Sequence, residues 1–228
     1  MITNKINSKV KEFYNKNPFP NPYTASSVKS YSGRNRYISF ISKNIKNRSM
    51  VLDAGCGTGF IANFLAQENP DMDFVGVDFS NSINHANKIK RQLGIRNVKF
   101  FKKDLTEFKT KKKFDVVICQ GVLHHIPKYQ QTLANLKNML APNGIFIIGL
   151  YHPWGKALQR LLPNNYTSRT LEVDQEQHPF ELSFWGKDVK NMFTGYKYIA
   201  SQPRVIFNWR NGGLTTYIFK KNKEKRNV

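Results

Sequence analysis

Three glycines at alternate positions, Gly55, Gly57 and Gly59, are the residues whose spacing most clearly predicts chemistry in this chain. An apolar run of strand type ends just before them at Asp53, and a helical pattern of apolar residues begins at Ile61. Glycines at such a turn adopt backbone conformations closed to other residues, and without Cβ atoms they let a ligand lie against the main chain. The stretch therefore predicts a cofactor-binding loop.

The spacing of these glycines argues against a dinucleotide cofactor. A dinucleotide fingerprint has the form Gly-x-Gly-x-x-Gly, whereas Phe60 stands where its last glycine is expected. Asp53 also places a carboxylate just before the turn, where a pyrophosphate needs an environment that favours anions. The loop is therefore better suited to a cationic ligand.

The run Val-Leu-Asp-Ala-Gly-Cys-Gly-Thr-Gly at residues 51–59 closely resembles the first motif of class I S-adenosylmethionine-dependent methyltransferases. The resemblance extends over about residues 50–150 and includes Phe-Asp-Val-Val at 114–117 followed by Val-Leu-His-His at 122–125. It implies the Rossmann-like methyltransferase fold, an α/β three-layer sandwich with a seven-stranded, mostly parallel, doubly wound sheet whose last strand is antiparallel. It also implies S-adenosyl-L-methionine as cofactor, S-adenosyl-L-homocysteine as product, and no metal.

A second acidic residue, Asp78, ends a predicted buried strand that begins at Asp73, and it lies 19 residues beyond Gly59. A carboxylate at this place can accept two hydrogen bonds from a ribose diol, as the corresponding acid does in dinucleotide-binding folds. Phe79 beside it would offer its ring face to the adenine. We therefore expect both residues in the cofactor site.

The resemblance assigns further cofactor contacts at the ends of the third and fourth predicted strands. Asp104 and Leu105 match the positions that receive the adenine amino group and ring edge, and Gln120 matches the position whose backbone holds the methionine end. The complete set of expected cofactor-binding residues is Asp53, Gly55, Gly57, Gly59, Asp78, Phe79, Asp104, Leu105 and Gln120.

Three histidines follow the fourth and fifth predicted strands: His124, His125 and His152. In an open parallel sheet the ligand lies beyond the carboxyl ends of the strands, so these residues are candidate catalytic bases. An oxygen or carbon acceptor needs a base that titrates near neutral pH, whereas an amine needs only to be held deprotonated. Adjacent histidines point in different directions, so at most one of His124 and His125 should face the cavity. No Cys or Glu accompanies the pair at ligand spacing, which disfavours a metal site.

The domain organisation predicted from the sequence has three parts: an N-terminal helical lid or arm over residues 1–48, a methyltransferase domain over 49–220 and a basic tail over 221–228. An insertion at about 151–183 is expected to shape the substrate pocket. The arm contains Phe-Tyr-Asn-Lys-Asn-Pro-Phe-Pro, which resembles a leader of the form Tyr-x-x-Asn-Pro-Phe-Pro in some members of the class. Candidate substrate-binding residues from the arm and the insertion are Tyr14, Phe19, Tyr151, Arg169 and His178.

Composition limits the function classes. The 228 residues fit one sizeable domain, and they contain neither an apolar stretch of about 20 residues nor an N-terminal signal pattern, so a cytoplasmic protein is expected. Cys56 and Cys119 are expected to be free, buried thiols. Lys and Arg exceed Asp and Glu by 36 − 15 = 21, which indicates either an anionic partner or a solvated basic surface.

Three functions remain open from the sequence. The first is methylation of a small molecule, with the acceptor atom undetermined. The second is methylation of RNA (tRNA or rRNA), which the net charge favours, although Gln-Gly-Val-Leu at 120–123 replaces the Asn/Asp-Pro-Pro-Tyr tetrapeptide of enzymes that methylate base amines. The third is a non-catalytic, cofactor-binding partner subunit. The oligomeric state is not predicted.

Overall fold

The computed structural model describes residues 2–30, 36–45, 48–161, 178–202 and 213–222. The predicted turn at 211–212 and most of the expected basic tail lie outside these ranges. Within them, no helix has the length and the apolar character that crossing a membrane requires.

Seven strands form one sheet in the order β3-β2-β1-β4-β5-β7-β6. The strands are β1 (Met50–Ala54), β2 (Asp73–Asp78), β3 (Val98–Lys102), β4 (Phe114–Gln120), β5 (Leu140–Leu150), β6 (Tyr196–Gln202) and β7 (Thr215–Lys221). The first five strands pair in parallel, and β7 runs antiparallel to both β5 and β6. The predicted seven-stranded, mostly parallel sheet with an antiparallel last strand is therefore confirmed.

Helices cover both faces of this sheet. They are α1 (Ile2–Lys16), α2 (Ala25–Ser30), α3 (Arg36–Ile45), α4 (Phe60–Glu68), α5 (Ser82–Leu93), α6 (Tyr129–Met139), α7 (Pro153–Leu161) and α8 (Gly186–Met192), with a short 3₁₀ turn at Leu123–His125. Neighbouring strand residues point to opposite faces, so Val51 and Val116 pack with α3, α4 and α5, while Leu52 and Val117 pack with α6 and α8. This alternation produces the predicted three layers.

The chain order of the strands creates the crevice in which a ligand can lie. From β1 the chain passes outward to β2 and β3 on one side, and it returns to β4 and β5 on the other side. Strand order therefore reverses between β1 and β4, and open α/β sheets bind ligands beyond the carboxyl ends of the strands at such a point. The glycine loop follows β1 directly, so it borders this crevice.

Two element boundaries differ from the sequence prediction. The strand expected to begin at Ile145 begins at Leu140, which pairs with Phe114 before the ladder shifts and resumes at Ile145. Asn143 takes a φ of 60° in this irregular part, a conformation that asparagine tolerates better than most residues. The N-terminal helix, expected around Val10 to Tyr14, starts at Ile2, because apolar residues already recur at helical spacing from there.

Candidate active site

The glycine loop after β1 is a tight turn that leaves no room for side chains at two positions. Gly55 has φ +80° and donates its N–H to the carbonyl of Val77 at 2.7 Å, and a Cβ at Gly55 would stand 2.3 Å from a methyl carbon of Val122. At Gly57, which has φ +51°, a Cβ would stand 2.0 Å from the carbonyl oxygen of Phe19. Both positions therefore require glycine on grounds of conformation and of space.

Asp78, the last residue of β2, is tied to the glycine loop. Its Oδ2 accepts the backbone N–H of Gly57 at 2.9 Å, and its Oδ1 accepts the backbone N–H and the hydroxyl of Ser80 at 2.8 and 2.7 Å. A carboxylate offers about four acceptor sites, so these three bonds leave capacity on the side that lines the cavity. Asp78 is thus held in place and still able to accept a ligand hydroxyl.

A cavity opens beyond the carboxyl ends of β1, β2 and β4. The residues that line it come from α1, the arm after it, the glycine loop and the strand ends: Asn7, Val10, Tyr14, Phe19, Gly55, Gly57, Asp78, Phe79, Ser80, Ser82, Asp104, Leu105, Thr106, Gln120, Gly121, Val122, His125 and Ile126. Two carboxylates are present in this lining and no Lys or Arg, although the chain carries 36 Lys and Arg residues. The cavity therefore suits a neutral or cationic ligand rather than a polyphosphate.

Seven of the nine residues expected to bind cofactor line this cavity, namely Gly55, Gly57, Asp78, Phe79, Asp104, Leu105 and Gln120. Asp104 accepts the backbone N–H and the hydroxyl of Thr106 through Oδ1, both at 2.8 Å, and its Oδ2 receives no hydrogen bond from a described residue. The Oδ2 atom is therefore available to a ligand donor such as an exocyclic amine.

The other two expected cofactor residues, Asp53 and Gly59, are not part of the cavity lining. A Cβ at Gly59 would stand 2.5 Å from the Cβ of Ala86, so this glycine permits close packing against α5. Asp53 is 2% exposed, and its Oδ2 has no hydrogen-bond partner among the described residues. Burial and then the neighbouring charge of Asp78 raise the pKa of Asp53 to about 7.

Gln120 ends β4 and fixes the floor of the cavity across two further strands. Its side-chain amide lies 3.1 Å from the hydroxyl of Thr216 in β7, above Gly149 of the intervening strand β5. A Cβ at Gly149 would stand 2.0 Å from Oε1 of Gln120, so the glycine provides the path for this side chain. The Gln120 backbone is thereby left at the cavity wall.

The segment after α1 is bonded to the glycine loop through one residue, Thr58. The backbone N–H of Thr58 donates to the carbonyl of Phe19 at 3.1 Å, and its hydroxyl donates to the carbonyl of Pro20 at 3.0 Å. The carbonyl of Thr58 accepts the hydroxyl of Tyr23, also at 3.1 Å. The Phe19–Pro20 peptide bond is cis. This arrangement places Phe19 at the cavity and α1 above it.

His125 is the one of the three candidate bases that lines the cavity. Its Nδ1 lies 3.1 Å from the carbonyl oxygen of Phe180, which can only accept, so Nδ1 carries the proton of the neutral ring and Nε2 is unprotonated. Burial, together with the neighbouring His124 and His178, lowers the pKa of His125 well below its usual value. The ring is therefore neutral at physiological pH and has a basic nitrogen.

The other two histidines face other parts of the structure. His124 is fully buried, its ring centroid is 4.1 Å from that of Tyr151, and neither ring nitrogen has a hydrogen-bond partner among the described residues. His152 accepts the backbone N–H of Trp154 at the start of α7 and packs edge-on against Trp185. Neither residue is part of the cavity lining, so neither has the placement expected of a base.

The candidate substrate residues divide in the same way. Tyr14 and Phe19 line the cavity, and His178 stacks on His125 with ring centroids 3.8 Å apart. Tyr151 lies behind His124, outside the lining. Arg169 lies outside the described residues.

Several cavity residues were not expected from the sequence, although some had a signal. Asn7, Val10 and Tyr14 are spaced by three and four residues, which places them on one face of a helix. Phe180 contributes through its backbone alone, and a backbone contact leaves no signature in the residue type. Within the described ranges, no three His, Cys, Asp or Glu side chains are grouped to hold a metal ion.

The fold and the cavity are those of a doubly wound α/β domain with a ligand cleft beyond its strand ends. A family model described as a methyltransferase domain matches residues 45–196, more than half of the chain, and confirms the resemblance seen in the sequence. The chain belongs to this methyltransferase family.

Individual relatives agree with this membership over part of their length. The chain is 35% identical over 107 residues to the ubiquinone biosynthesis O-methyltransferase of Rickettsia canadensis (strain McKiel), a match covering 47% of this chain and 44% of that protein. It is 29% identical over 105 residues to the probable (S)-tetrahydroprotoberberine N-methyltransferase 2 of Papaver bracteatum, covering 46% and 29%. The chain thus spans less than half the length of these two curated relatives.

A solved structure is similar over nearly the whole chain. The 1,6-didemethyltoxoflavin-N1-methyltransferase of Burkholderia thailandensis, crystallised with 1,6-didemethyltoxoflavin and S-adenosylhomocysteine, superposes with a TM-score of 0.66. The superposition covers 97% of this chain and 91% of that one at 16% identity. At this identity the likeness concerns the fold.

Proposed function

We propose that this chain is an S-adenosylmethionine-dependent methyltransferase that acts on a small-molecule acceptor. The observation that carries the proposal is a cavity at the strand-order reversal that is lined by Asp78 and Asp104 and by no described Lys or Arg. These acceptors suit the hydroxyls of a ribose and the amino group of an adenine, and the absence of cations from the lining suits a nucleoside without phosphate.

The residues of the cavity divide the ligand among them. Asp78 would accept the ribose hydroxyls, Phe79 and Leu105 would contact the adenine, and Asp104 would accept its amino group through Oδ2. Gly55 provides the wall against which the ligand lies, because no other residue fits there. When bound, the cofactor supplies a methyl group activated by the positive charge of its sulfonium. The protein then contributes alignment and exclusion of water.

The acceptor would lie on the side formed by α1, the arm and the insertion at about 151–183. Tyr14 and Phe19 close the cavity from the arm, which supports a small acceptor rather than a folded polymer. The relatives named above include enzymes for small O- and N-acceptors, which also supports this assignment. The cytoplasmic location expected from the sequence remains part of the proposal.

Transfer assays with mass-spectrometric detection test the proposal. The purified chain is incubated with S-adenosylmethionine and, separately, with a panel of phenols, a panel of amines and total tRNA. We expect a mass increase of one methyl group on a small acceptor and no change in the exposed-loop variant Lys112→Ala. Methylation of the tRNA alone, weakened by added salt, would instead support the RNA alternative. Cofactor binding without transfer to any acceptor would support the non-catalytic one.

A further inference from the structure

The backbone amide of Phe180 is bonded to two histidines at once. Its carbonyl oxygen lies 3.1 Å from Nδ1 of His125, and its N–H donates to Nδ1 of His178 at 3.2 Å. The two imidazole rings are stacked, with centroids 3.8 Å apart and planes 29° apart. One peptide unit therefore orients both rings.

These two bonds set opposite tautomers, because a carbonyl only accepts and an N–H only donates. His125 must carry its proton on Nδ1, which leaves a lone pair on Nε2. His178 must have an unprotonated Nδ1, so the proton of its neutral ring is on Nε2. A neutral stacked pair avoids the repulsion of two imidazolium rings in contact, and burial favours neutrality further.

The groups packed around His125 leave its Nε2 without a carboxylate partner. His124 contacts it edge-on at 4.1 Å, Tyr14 of α1 lies at 5.8 Å, and Tyr151 lies at 6.1 Å between ring centroids. The charged groups of this layer, Lys156 and Glu181, form an ion pair of 2.8 Å with each other. Nε2 of His125 is buried and has no hydrogen-bond partner among the described residues.

A buried acceptor nitrogen without a partner is costly, and a donor supplied by a ligand removes the cost. We propose that Nε2 of His125 accepts the proton of a phenolic or enolic hydroxyl on the methyl acceptor, and that His178 is a positioning residue that holds His125 in the required tautomer. The inference rests on the proposed function and names its substrate class. His125 lines the cavity, so the nitrogen belongs to the ligand site.

The step balances as follows. The hydroxyl proton passes to Nε2 while the oxygen forms its bond to the methyl carbon, and the S–CH₃ bond breaks with its electron pair remaining on sulfur. The imidazolium of His125 then loses the proton to solvent. A weak base matches an acidic hydroxyl better than an aliphatic alcohol, and a neutral amine needs no base before attack.

Nitrogen NMR of ¹⁵N-histidine-labelled protein without ligand tests the tautomers directly. We expect His125 to be neutral with its proton on Nδ1 at pH 7, and His178 to be neutral with its proton on Nε2. The variant His178→Phe keeps the stacked ring and removes the Nδ1 acceptor, so we expect it to loosen Phe180 and to give His125 a mixture of tautomers. A His125 ring that is protonated on Nε2 in the wild type would overturn the inference.

The proton transfer is tested with 4-nitrocatechol as probe, added to the protein saturated with S-adenosylhomocysteine. We expect the absorbance of the ionised phenol to appear at a pH where the free probe is neutral, and His125→Gln to abolish this shift while its affinity for S-adenosylhomocysteine changes less than twofold. With a phenolic acceptor, His125→Gln should lower turnover by about 100-fold or more.

Two kinds of failure are distinguishable in these experiments. If S-adenosylhomocysteine does not bind at all, the proposed function fails. If it binds, but the probe is not ionised or is ionised equally by His125→Gln, then the base assigned here is wrong while the cofactor site stands.

Discussion

The backbone N–H of Thr58 donates a hydrogen bond of 3.1 Å to the carbonyl oxygen of Phe19. Thr58 belongs to the loop expected to hold the cofactor, and Phe19 belongs to the arm expected to close over it. The same threonine bonds Pro20 and Tyr23. The arm is thus fixed to the loop at residues 19–23, and α1 extends from that fixed point across the cavity.

Removal of one hydroxyl should loosen this attachment. The Tyr23 hydroxyl donates to the Thr58 carbonyl and accepts the side-chain amide of Asn63, both at 3.1 Å. We expect Tyr23→Phe to lower the free energy of unfolding by about 1–3 kcal/mol, because two buried partners lose a bond. Tyr198→Phe, whose hydroxyl bonds Ser201 on the exposed edge strand, should change it by less than about 0.5 kcal/mol. Urea titration of both variants measures the difference, and equal effects would contradict the attachment.

An added methyl group separates crowding from backbone strain in the glycine loop. Gly57 and Gly94 both have positive φ, but a Cβ at Gly57 would stand 2.0 Å from a carbonyl oxygen, whereas one at Gly94 meets nothing within 4 Å. We expect Gly94→Ala to cost about 1 kcal/mol of stability from strain alone. Gly57→Ala should cost clearly more and also weaken S-adenosylhomocysteine binding at least tenfold, because the arm must move. Calorimetry measures the affinity, and wild-type binding by Gly57→Ala would show that the contact is unimportant.

The buried carboxyl of Asp53 should make stability fall as pH rises. Its pKa is raised in the folded protein to about 7 from an ordinary 3.8, so the folded state favours the neutral form. The stabilisation present below pH 4 is lost as pH rises to 7. We expect Asp53→Asn to gain about 2 kcal/mol relative to the wild type between pH 5 and pH 8, from about 1.4 kcal/mol per unit. The exposed Asp71→Asn should gain nothing, and parallel pH curves for all three proteins would refute the role of burial.

His124 has the opposite pH signature. Burial, then Lys156 and His178, lower its pKa well below 6.5 in the folded protein, so folding excludes a proton that the unfolded chain takes up. Its contribution to stability is therefore present above pH 6.5 and lost as the pH falls below it, by up to about 1.4 kcal/mol per pH unit. We expect His124→Phe, of similar shape against Tyr151, to be relatively more stable at pH 5 than at pH 7.5. Thermal unfolding at the two pH values decides, and an unchanged difference would contradict the prediction.

The sequence was informative where local pattern decides the structure. The apolar runs that end at Asp78, at Lys102 before Asp104, and at Gln120 were recognisable as strands, and parallel strands bring their carboxyl ends to one edge. Which of two adjacent histidines reaches the cavity depends on the 3₁₀ turn after β4, whose direction the residue types do not encode. The contacts of Thr58 and Phe180 run through backbone groups far apart in the chain, so only the folded structure reveals them.

The most direct test of the account is a calorimetric titration of the wild type and of Asp78→Ala with S-adenosylhomocysteine. We predict saturable binding of one molecule per chain, weakened by about 10- to 100-fold in the variant, as loss of charge-assisted hydrogen bonds requires. Lys112→Ala should bind like the wild type. No saturable binding by the wild type, or equal affinity in Asp78→Ala, would contradict the assignment of the cavity as a cofactor site.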